Sequence, residues 1–271
     1  MLELKLADKT ISTKNPAFVM SILNVTPDSF FEGSRGGIEK AKQIIEEGAD
    51  ILDIGAESSR PGAEYVSAEE EIKRLIPVIE QIRKFSDIPI SVDTRKFSVM
   101  KACFESGANI LNDISALEDD EKMAPFVAET KIPVILMHKR GLPSQMQKNT
   151  QYSNVFKEVN EYLTKRAIFA EQNGIESEKI IVDPGVGFGK DLQGNIELIK
   201  NCGKLCSSKY KILMALSRKT CIGEMTGKSV QDRLYGTLAA NLLSVINGAS
   251  LVRVHDTKET IDILKVLSYI K

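Results

Sequence analysis

Polar side chains that could hold a ligand stand at the ends of eight short apolar runs along the chain. These residues are Asn24, Asp53, Asp93, Asn112, His138, Asp183, Lys219 and His255. Carboxylates accept hydrogen bonds, amides accept and donate them, and cationic side chains donate them to anions. If the runs converge in space, their ends predict a site that binds a polar ligand.

The apolar runs predict parallel strands, because a strand that is covered on both faces is apolar almost throughout. The predicted strands lie near residues 18–24, 50–54, 89–92, 109–112, 132–136, 179–182, 212–216 and 251–254. Stretches with helical periodicity separate them, and several of these stretches end at glycine, as helices commonly do. Eight such units predict an α/β fold, a (β/α)8 TIM barrel, in which all strand ends meet at one mouth. A doubly wound open sheet is the alternative fold.

Length and charge predict one domain whose partners are small molecules. The chain has 271 residues, close to the roughly 250 of a typical single barrel, so we expect one domain over residues 1–271. Its charged, alternating N-terminus fits a short strand or hairpin. Lys plus Arg number 36 and Asp plus Glu number 37, so no basic excess points to nucleic acid. No run approaches transmembrane length and the N-terminus lacks a signal-peptide core, so we expect no membrane partner.

The four cysteines show no disulfide framework, which favours a reducing, cytoplasmic location. They are Cys103, Cys202, Cys206 and Cys221. Cys202 and Cys206 could share one helix face, but packing is favoured over metal binding.

The segment DPGVGFGK, residues 183–190, matches neither of the common phosphate-binding loops. A Walker loop would need glycine at Pro184 and Ser or Thr at Asp191, and a dinucleotide fingerprint would need glycine at Lys190. The segment instead predicts a carboxylate, Asp183, fixed at a strand end, followed by glycines that let a planar ligand approach the backbone. The alternative is a structural role for Asp183 as a helix cap or in an ion pair.

Eight segments together resemble the signature motifs of the dihydropteroate synthase family. In chain order they are NVTPDSF, DIGAESSRPGA, SVDT, NDI, LMH, DPGVGFGK, SRK and RVHD, spanning residues 24–256. Members of that family are (β/α)8 transferases of folate biosynthesis. They join 6-hydroxymethyl-7,8-dihydropterin diphosphate to p-aminobenzoate and release diphosphate and 7,8-dihydropteroate. The resemblance further implies a Mg²⁺ cofactor, a homodimer and a target of sulfonamides.

The resemblance also assigns roles to residues of this chain. It places Asp93, Asn112, Asp183, Lys219 and Met137 around the pterin, although Met137 could equally be an ordinary core methionine. It assigns the diphosphate to Ser59, Arg60, Arg253 and His255, and the Mg²⁺ ion to Asn24. It places Pro61, Phe188 and Thr220 at p-aminobenzoate, and makes Asp93, Lys219 and Arg253 the catalytic residues.

Elementary chemistry suits these assignments. One carboxylate, such as Asp183, can accept both parallel N–H donors that a pterin presents. The guanidinium of Arg253 can fork onto a phosphate, and Mg²⁺ is a hard ion that prefers oxygen ligands. A solvated surface pair is the alternative for Arg253 and His255. The connections 25–36 and 57–66, rich in Gly, Pro and Ser, are expected to close over the substrates.

Two other functions fit parts of this pattern. A pterin-dependent methyltransferase barrel shares the Asp, Asn and Asp pterin pocket, but it does not need the SRK and RVH strand ends or the SSRPG loop. A non-catalytic barrel that only binds pterins would have lost the residues that hold diphosphate, and this sequence keeps them.

Overall fold

Eight parallel strands close into a barrel in the computed structural model, which describes residues 1–25, 35–57, 65–141 and 150–270. The barrel strands are β3 (Phe18–Asn24), β4 (Ile51–Gly55), β5 (Ile90–Asp93), β6 (Ile110–Asp113), β7 (Val134–Met137), β8 (Ile180–Asp183), β9 (Lys211–Met214) and β10 (Leu251–Val254). They neighbour each other in chain order, and β10 closes the ring against β3. The predicted (β/α)8 barrel is therefore confirmed, and each predicted strand bound lies within two residues of the observed one.

Helices follow the strands around the outside of the barrel. They are α1 (Arg35–Glu46), α2 (Ala68–Arg83), α3 (Phe97–Glu105), α4 (Met123–Thr130), α5 (Val155–Gln172), α6 (Leu192–Asn201), α7 (Thr220–Thr226), α8 (Leu234–Ile246) and α9 (Thr257–Ile270). The connection after β9 holds two of them, the short α7 and then α8. Within the described ranges, no helix combines the length and the apolar character that crossing a membrane requires.

The N-terminal residues form the predicted hairpin, with β1 (Leu2–Lys5) antiparallel to β2 (Thr10–Thr13). Its side chains Leu4 and Leu6 are buried in one cluster with the first residues of several barrel strands, among them Phe18, Ile51 and Leu251. The hairpin therefore packs at the amino-terminal end of the barrel. The polar strand ends lie at the opposite, carboxyl-terminal end, which is the mouth.

A second apolar cluster lies between the barrel and the helices. It unites outward-facing strand residues such as Leu52 and Val92 with helix residues such as Ile79. All four cysteine thiols are buried and none is in a disulfide. The burial of Cys202 and Cys206 fits the packing role predicted for these two.

Candidate active site

Strand register places the predicted pterin-binding residues side by side at the mouth. Asp93 at the end of β5 lies opposite Asn112 on β6, and Met137 at the end of β7 lies opposite Asp183 on β8. Met137, Asn112 and Asp183 are buried, whereas the side chain of Asp93 keeps 14% of its surface exposed. The barrel thus brings residues up to 90 positions apart in sequence, such as Asp93 and Asp183, to the same mouth.

Arg253 joins two carboxylates across the mouth. Its Nε donates to Asp53 Oδ2 at 2.5 Å, and its Nη2 donates to Asp93 Oδ2 at 3.0 Å. Asn112 Nδ2 donates to the same Asp53 carboxylate at 3.3 and 3.4 Å. Side chains from β4, β5, β6 and β10 therefore form one hydrogen-bonded network. The sequence marks Asp53 as a polar residue at the end of the run ILDIG but assigns it no role at the site.

Burial and neighbouring charges have opposing effects on the pKa values of Asp93 and Arg253. Burial raises the pKa of Asp93 to about 7; the guanidinium of Arg253 opposes this shift and the carboxylate of Asp53 adds to it. Burial alone would lower the pKa of Arg253, but the carboxylates of Asp53 and Asp93 outweigh it and raise that pKa. Arg253 therefore stays charged, while Asp93 is poised to take up a proton near neutral pH.

Asp183 is buried at the start of the DPGVGFGK segment. Its Oδ1 accepts a hydrogen bond from Gly185 N at 2.7 Å, so it fixes the turn that follows its own strand. Burial raises the pKa of this carboxyl, and the ammonium of Lys219 opposes the shift. The side chain thus has a local structural role and also lies within electrostatic reach of a neighbouring cation.

Gly185 lies against the backbone of the neighbouring strand's end. It has φ +64°, and a Cβ built on it would stand 1.9 Å from His138 O. The glycines of this segment were predicted to let a planar ligand approach the backbone. At Gly185 the missing side chain instead leaves room for the carbonyl group of His138. Only glycine meets both the conformation and the close approach without strain.

Lys219 reaches from the end of the β9 connection to the β8 connection. Its Nζ donates to Val186 O at 2.5 Å and lies 4.9 Å from the centroid of the Phe188 ring. Burial lowers the pKa of its ammonium, against the carboxylate of Asp183. Thr220 follows as the exposed first residue of α7. Phe188, Lys219 and Thr220 therefore lie together on one side of the mouth.

His255 is oriented by a residue that sequence reasoning missed. Its Nδ1 lies 2.9 Å from Ser217 Oγ, and its backbone N donates to the same hydroxyl at 3.2 Å. Ser217 precedes the Arg218 and Lys219 of the SRK motif, and this position in the motif is the sequence signal that could have found it.

Lys190 lies beneath the β8 connection and not in the opening. Its Nζ lies 3.0 Å from His138 Nδ1 and donates to Gly185 O and Phe188 O at 2.9 Å each. Burial lowers the pKa of this ammonium well below its usual value. Burial and the nearby cations lower the pKa of His138 to about 3, so His138 is neutral and serves the packing of the loop.

The remaining predicted residues are Asn24 and the loop residues Ser59, Arg60 and Pro61. Asn24 ends β3 with an exposed side chain, opposite Gly55 in the register. Ser59, Arg60 and Pro61 lie outside the described residues, as do most of the connections expected to close over the substrates. Among the described residues, no group of three or more His, Cys, Asp or Glu side chains is arranged to hold a metal ion. A single amide oxygen such as Asn24 fits a magnesium ion whose other ligands are phosphate oxygens and water.

The site as a whole offers two chemically different halves. Asp93, Asn112 and Asp183 supply acceptors and a mixed amide for a polar ring. Lys219, Arg253 and His255 supply donors and positive charge for an anion. Such an arrangement can hold a flat polar heterocycle that carries an anionic substituent.

Comparison with known proteins gives a consistent picture. Residues 20–255 match the family described as pterin binding enzyme. The sequence is 42% identical over 254 residues to the dihydropteroate synthase of Escherichia coli strain K12, covering 92% of this chain and 90% of that protein.

Solved structures of similar sequence share the entire fold. A dihydropteroate synthase of Xanthomonas albilineans with 4-aminobenzoic acid superposes with a TM-score of 0.91 at 40% identity, covering 99% of this chain and 97% of that one. The same enzyme in complex with 7,8-dihydropteroate gives a TM-score of 0.88 at 38% identity, covering 99% and 98% of the two chains.

Proposed function

Because the chain belongs to the pterin binding enzymes and, among them, to the dihydropteroate synthases, we propose that its barrel mouth joins 6-hydroxymethyl-7,8-dihydropterin diphosphate to p-aminobenzoate. The reaction transfers an alkyl group, the pterin methylene, to the amine in folate synthesis. The observation that carries the proposal is the convergence of Asp93, Asn112 and Asp183 with the cations Lys219 and Arg253 at one end of a closed barrel.

The pterin is held by the acceptor half of the site. Asp183 accepts from the 2-amino group and the adjacent ring N–H, and Asn112 matches the mixed edge of the ring. Lys219 donates to the ring carbonyl or a ring nitrogen, and Met137 packs against the ring face. Asp93 accepts from the remaining ring N–H. Each carboxylate is partly or wholly buried, where a charged hydrogen bond is stronger than in water.

The diphosphate is held by the cationic half. Arg253 and His255 donate to phosphate oxygens, together with Ser59 and Arg60 of the β4 connection. Asn24 would hold Mg²⁺, which supplies positive charge for the leaving group when it is bound. Arg253 also donates hydrogen bonds to Asp53 and Asp93. It therefore connects the diphosphate to Asp93, the carboxylate that contacts the pterin.

The second substrate is held on the β8 and β9 side of the mouth. Phe188 and Pro61 flank the aromatic ring, and the carboxylate lies near Thr220, at the start of α7. Phe188 is already held beneath Lys219 by a contact between cation and ring. Sulfonamides resemble p-aminobenzoate in shape and charge distribution, and we expect them to compete for this position.

The chemical step is a substitution at the pterin methylene. The amine nitrogen of p-aminobenzoate forms a bond to the methylene carbon, and the carbon–oxygen bond breaks with its electron pair leaving on diphosphate. The new amine then loses its proton to solvent. Asp93 offsets the positive charge that spreads into the pterin ring as the bond breaks, and Arg253 offsets the negative charge on the leaving group. No covalent intermediate with the protein is needed.

The protein is further proposed to be a single-domain homodimer in the cytoplasm. One closed barrel uses strands from residue 18 to residue 254, which supports a single domain. Exposed apolar side chains occur on α8 and on the neighbouring α9, and a second copy of the chain is their proposed partner. They are Tyr235, Leu243, Ile246, Val266, Tyr269 and Ile270. Four buried, unpaired thiols suit a reducing compartment.

The test is a product assay with the purified protein. Dihydropterin diphosphate, p-aminobenzoate and Mg²⁺ are mixed with it, and dihydropteroate and diphosphate are followed by mass detection. We expect the two products in equal amounts, and we expect chelation of Mg²⁺ to stop their formation. Tight binding of the pterin without any product would instead indicate a barrel that only binds pterins.

A further inference from the structure

Arg218 has a backbone conformation that non-glycine residues rarely adopt. Its φ is +56°, in the left-handed region, and it stands between Ser217 and Lys219 in the connection after β9. A glycine would adopt this conformation without strain, whereas arginine must be held in it by its surroundings.

Contacts from two parts of the chain, Asp256 and the start of α8, hold Arg218 in place. Its guanidinium forks onto Asp256, with Nε to Oδ2 at 3.0 Å and Nη2 to Oδ1 at 2.6 Å. Its backbone N donates to Thr237 Oγ1 at 3.0 Å, and its carbonyl oxygen accepts from Arg233 Nη1 at 3.0 Å. The peptide units on both sides of this residue are therefore fixed in direction.

The residues on either side of Arg218 touch the site directly. Ser217 places its hydroxyl 2.9 Å from His255 Nδ1, and Lys219 donates to Val186 O at 2.5 Å. Asp256 is itself the next residue after His255. The ion pair of Arg218 and Asp256 thus ties the connection that carries Ser217 and Lys219 to the strand end that carries His255.

Stability gives little reason for this arrangement. The side chain of Arg218 is 31% exposed and that of Asp256 is 14% exposed, so solvent screens part of their attraction. The forked geometry makes this pair stronger than an ordinary surface pair, but the left-handed strain that it opposes is of similar size. A left-handed glycine without an ion pair would form the same turn with less strain. The forked pair instead fixes both the distance and the orientation of the Arg218 side chain relative to Asp256.

We propose that Arg218 and Asp256 are positioning residues that aim Lys219 and His255 into the mouth. This inference rests on the function proposed above. Neither side chain needs to touch substrate: Arg218 sets the direction of the chain on both sides of itself, and Asp256 holds Arg218 in the conformation that does so. Without the pair, the Arg218 peptide relaxes out of the left-handed region, so that Ser217 and Lys219 turn together.

The test uses Asp256→Asn, which keeps the shape of the side chain and removes its charge. Its control is Glu171→Gln, which disturbs the Lys209 to Glu171 pair, also 2.6 Å long, near the amino-terminal end of the same strand β9. Arg218→Lys serves as a second variant, since it keeps the positive charge and loses the fork. It also decides the matter if Asp256→Asn does not fold.

The first readout does not depend on activity. The chain contains only two histidines, so nitrogen–proton correlation spectra can resolve the imidazole of His255 in the free protein. We expect Asp256→Asn and Arg218→Lys to shift the His255 nitrogen resonances while those of His138 stay in place, and Glu171→Gln to shift neither. The second readout is calorimetric affinity for the dihydropterin diphosphate without amine, where we expect a loss of about 10-fold in both variants. Catalytic efficiency should fall by about 100-fold, the scale on which displacement of a binding group by about 1 Å acts.

The proposal would be overturned if a folded Asp256→Asn protein kept its His255 resonances and its affinity and only melted at a lower temperature. The pair of Arg218 and Asp256 would then only stabilise the fold. Shifted resonances with reduced affinity support it. The spectra are informative even if the wild-type protein forms no dihydropteroate, so a failure of the proposed function remains distinguishable from a failure of this inference.

Discussion

At the residue scale, the properties of the site come from placing opposite charges together inside a largely buried mouth. Arg253 is bonded to Asp53 and Asp93, and Asp183 lies within reach of Lys219. Burial disfavours the charged forms of these groups. Opposite charges offset part of this effect for Asp93 and Asp183 and more than offset it for Arg253. The site is therefore prepared for a ligand that supplies donors to the carboxylates and negative charge to the cations.

Replacement of Asp183 by Asn tests the pterin pocket. The change is almost isosteric, but the amide would turn a donor toward the donors of the pterin. We expect pterin affinity to fall by about 2–4 kcal/mol, roughly 30- to 1000-fold, because a charged two-point contact is lost and donors are left unpaired. Calorimetry measures this, with melting as a check on the turn that Asp183 forms with Gly185. Unchanged affinity would limit Asp183 to that turn.

The raised pKa of Asp93 predicts proton release when the pterin binds. The carboxyl has a pKa of about 7 in the free protein, above its usual 3.8, and it must be ionised to accept from the ring. Below pH 7 binding must therefore expel a proton, so affinity falls as pH drops and levels off above pH 7. Linkage gives a release of about half a proton at pH 7 and nearly one at pH 6.

Calorimetry in buffers of different ionisation enthalpy counts these protons. A proton count of zero across pH 6 to 8 would show that Asp93 is ionised throughout or is not in contact with the pterin.

The same raised pKa also affects the stability of the free protein. Asp93 stabilises the fold most at low pH, and this contribution is lost as pH rises from about 4 to about 7.

At the element scale, the strand ends and the connections after them position different residues of the site. The strands fix the register that puts Asp93 opposite Asn112 and Met137 opposite Asp183. The connections after β8 and β9 then hold Phe188 and Lys219 against each other. Their turns use left-handed residues, Gly185 in one and Arg218 in the other.

Gly185→Ala tests whether close packing of two connections shapes the site, with Gly227→Ala as its control. The two glycines have similar φ values, +64° and +69°. A Cβ on Gly185 would stand 1.9 Å from His138 O, whereas no atom of the described residues lies within 4 Å of one on Gly227. The left-handed strain should cost about 1–2 kcal/mol of unfolding free energy in both.

The clash should add about 1–3 kcal/mol in Gly185→Ala alone, because the neighbouring backbone must move. Urea unfolding measures both values. Equal destabilisation of the two variants would show that the β8 connection yields freely and does not constrain the mouth.

Much of the fold and part of the site follow from sequence at this scale, and the remainder does not for a physical reason. The apolar runs reveal the strands because both strand faces are covered, and their polar ends reveal Asp93, Asn112 and Asp183. The same pattern marks Asp53 but not its role, because Asp53 meets Arg253 only after the barrel closes across 200 positions. The pairing of Arg218 with Asp256 likewise depends on how two connections pack, which no local pattern encodes.

At the scale of the whole molecule, the barrel separates stability from chemistry. The hairpin and the apolar interior occupy the amino-terminal end, while the charged network occupies the mouth. The exposed apolar side chains of α8 and α9 lie on the outer layer of helices, and we have proposed a second copy of the chain as their partner.

Leu243→Glu tests the proposed dimer. Leu243 is 54% exposed on α8, and a carboxylate placed in an apolar interface should weaken association by about 2 kcal/mol or more. Sedimentation should show the wild type as a dimer and the variant shifted toward monomer. Ile168→Glu on α5, where the wild-type side chain is 44% exposed, should leave the dimer intact. A monomeric wild type, or a variant that associates equally well, would contradict the proposal.

The network around Arg253 is the proposed reacting centre, and one rate measurement tests it most directly. Arg253→Lys keeps the positive charge but has no fork that can bond to Asp53 and Asp93 together. In a single-turnover experiment with dihydropterin diphosphate, p-aminobenzoate and Mg²⁺, we expect the variant to form dihydropteroate about 100-fold more slowly than wild type or worse, the scale of losing one preorganised donor. Its melting temperature should change little. Dihydropteroate formation by the folded variant at the wild-type rate would contradict the assignment of the reaction to this network.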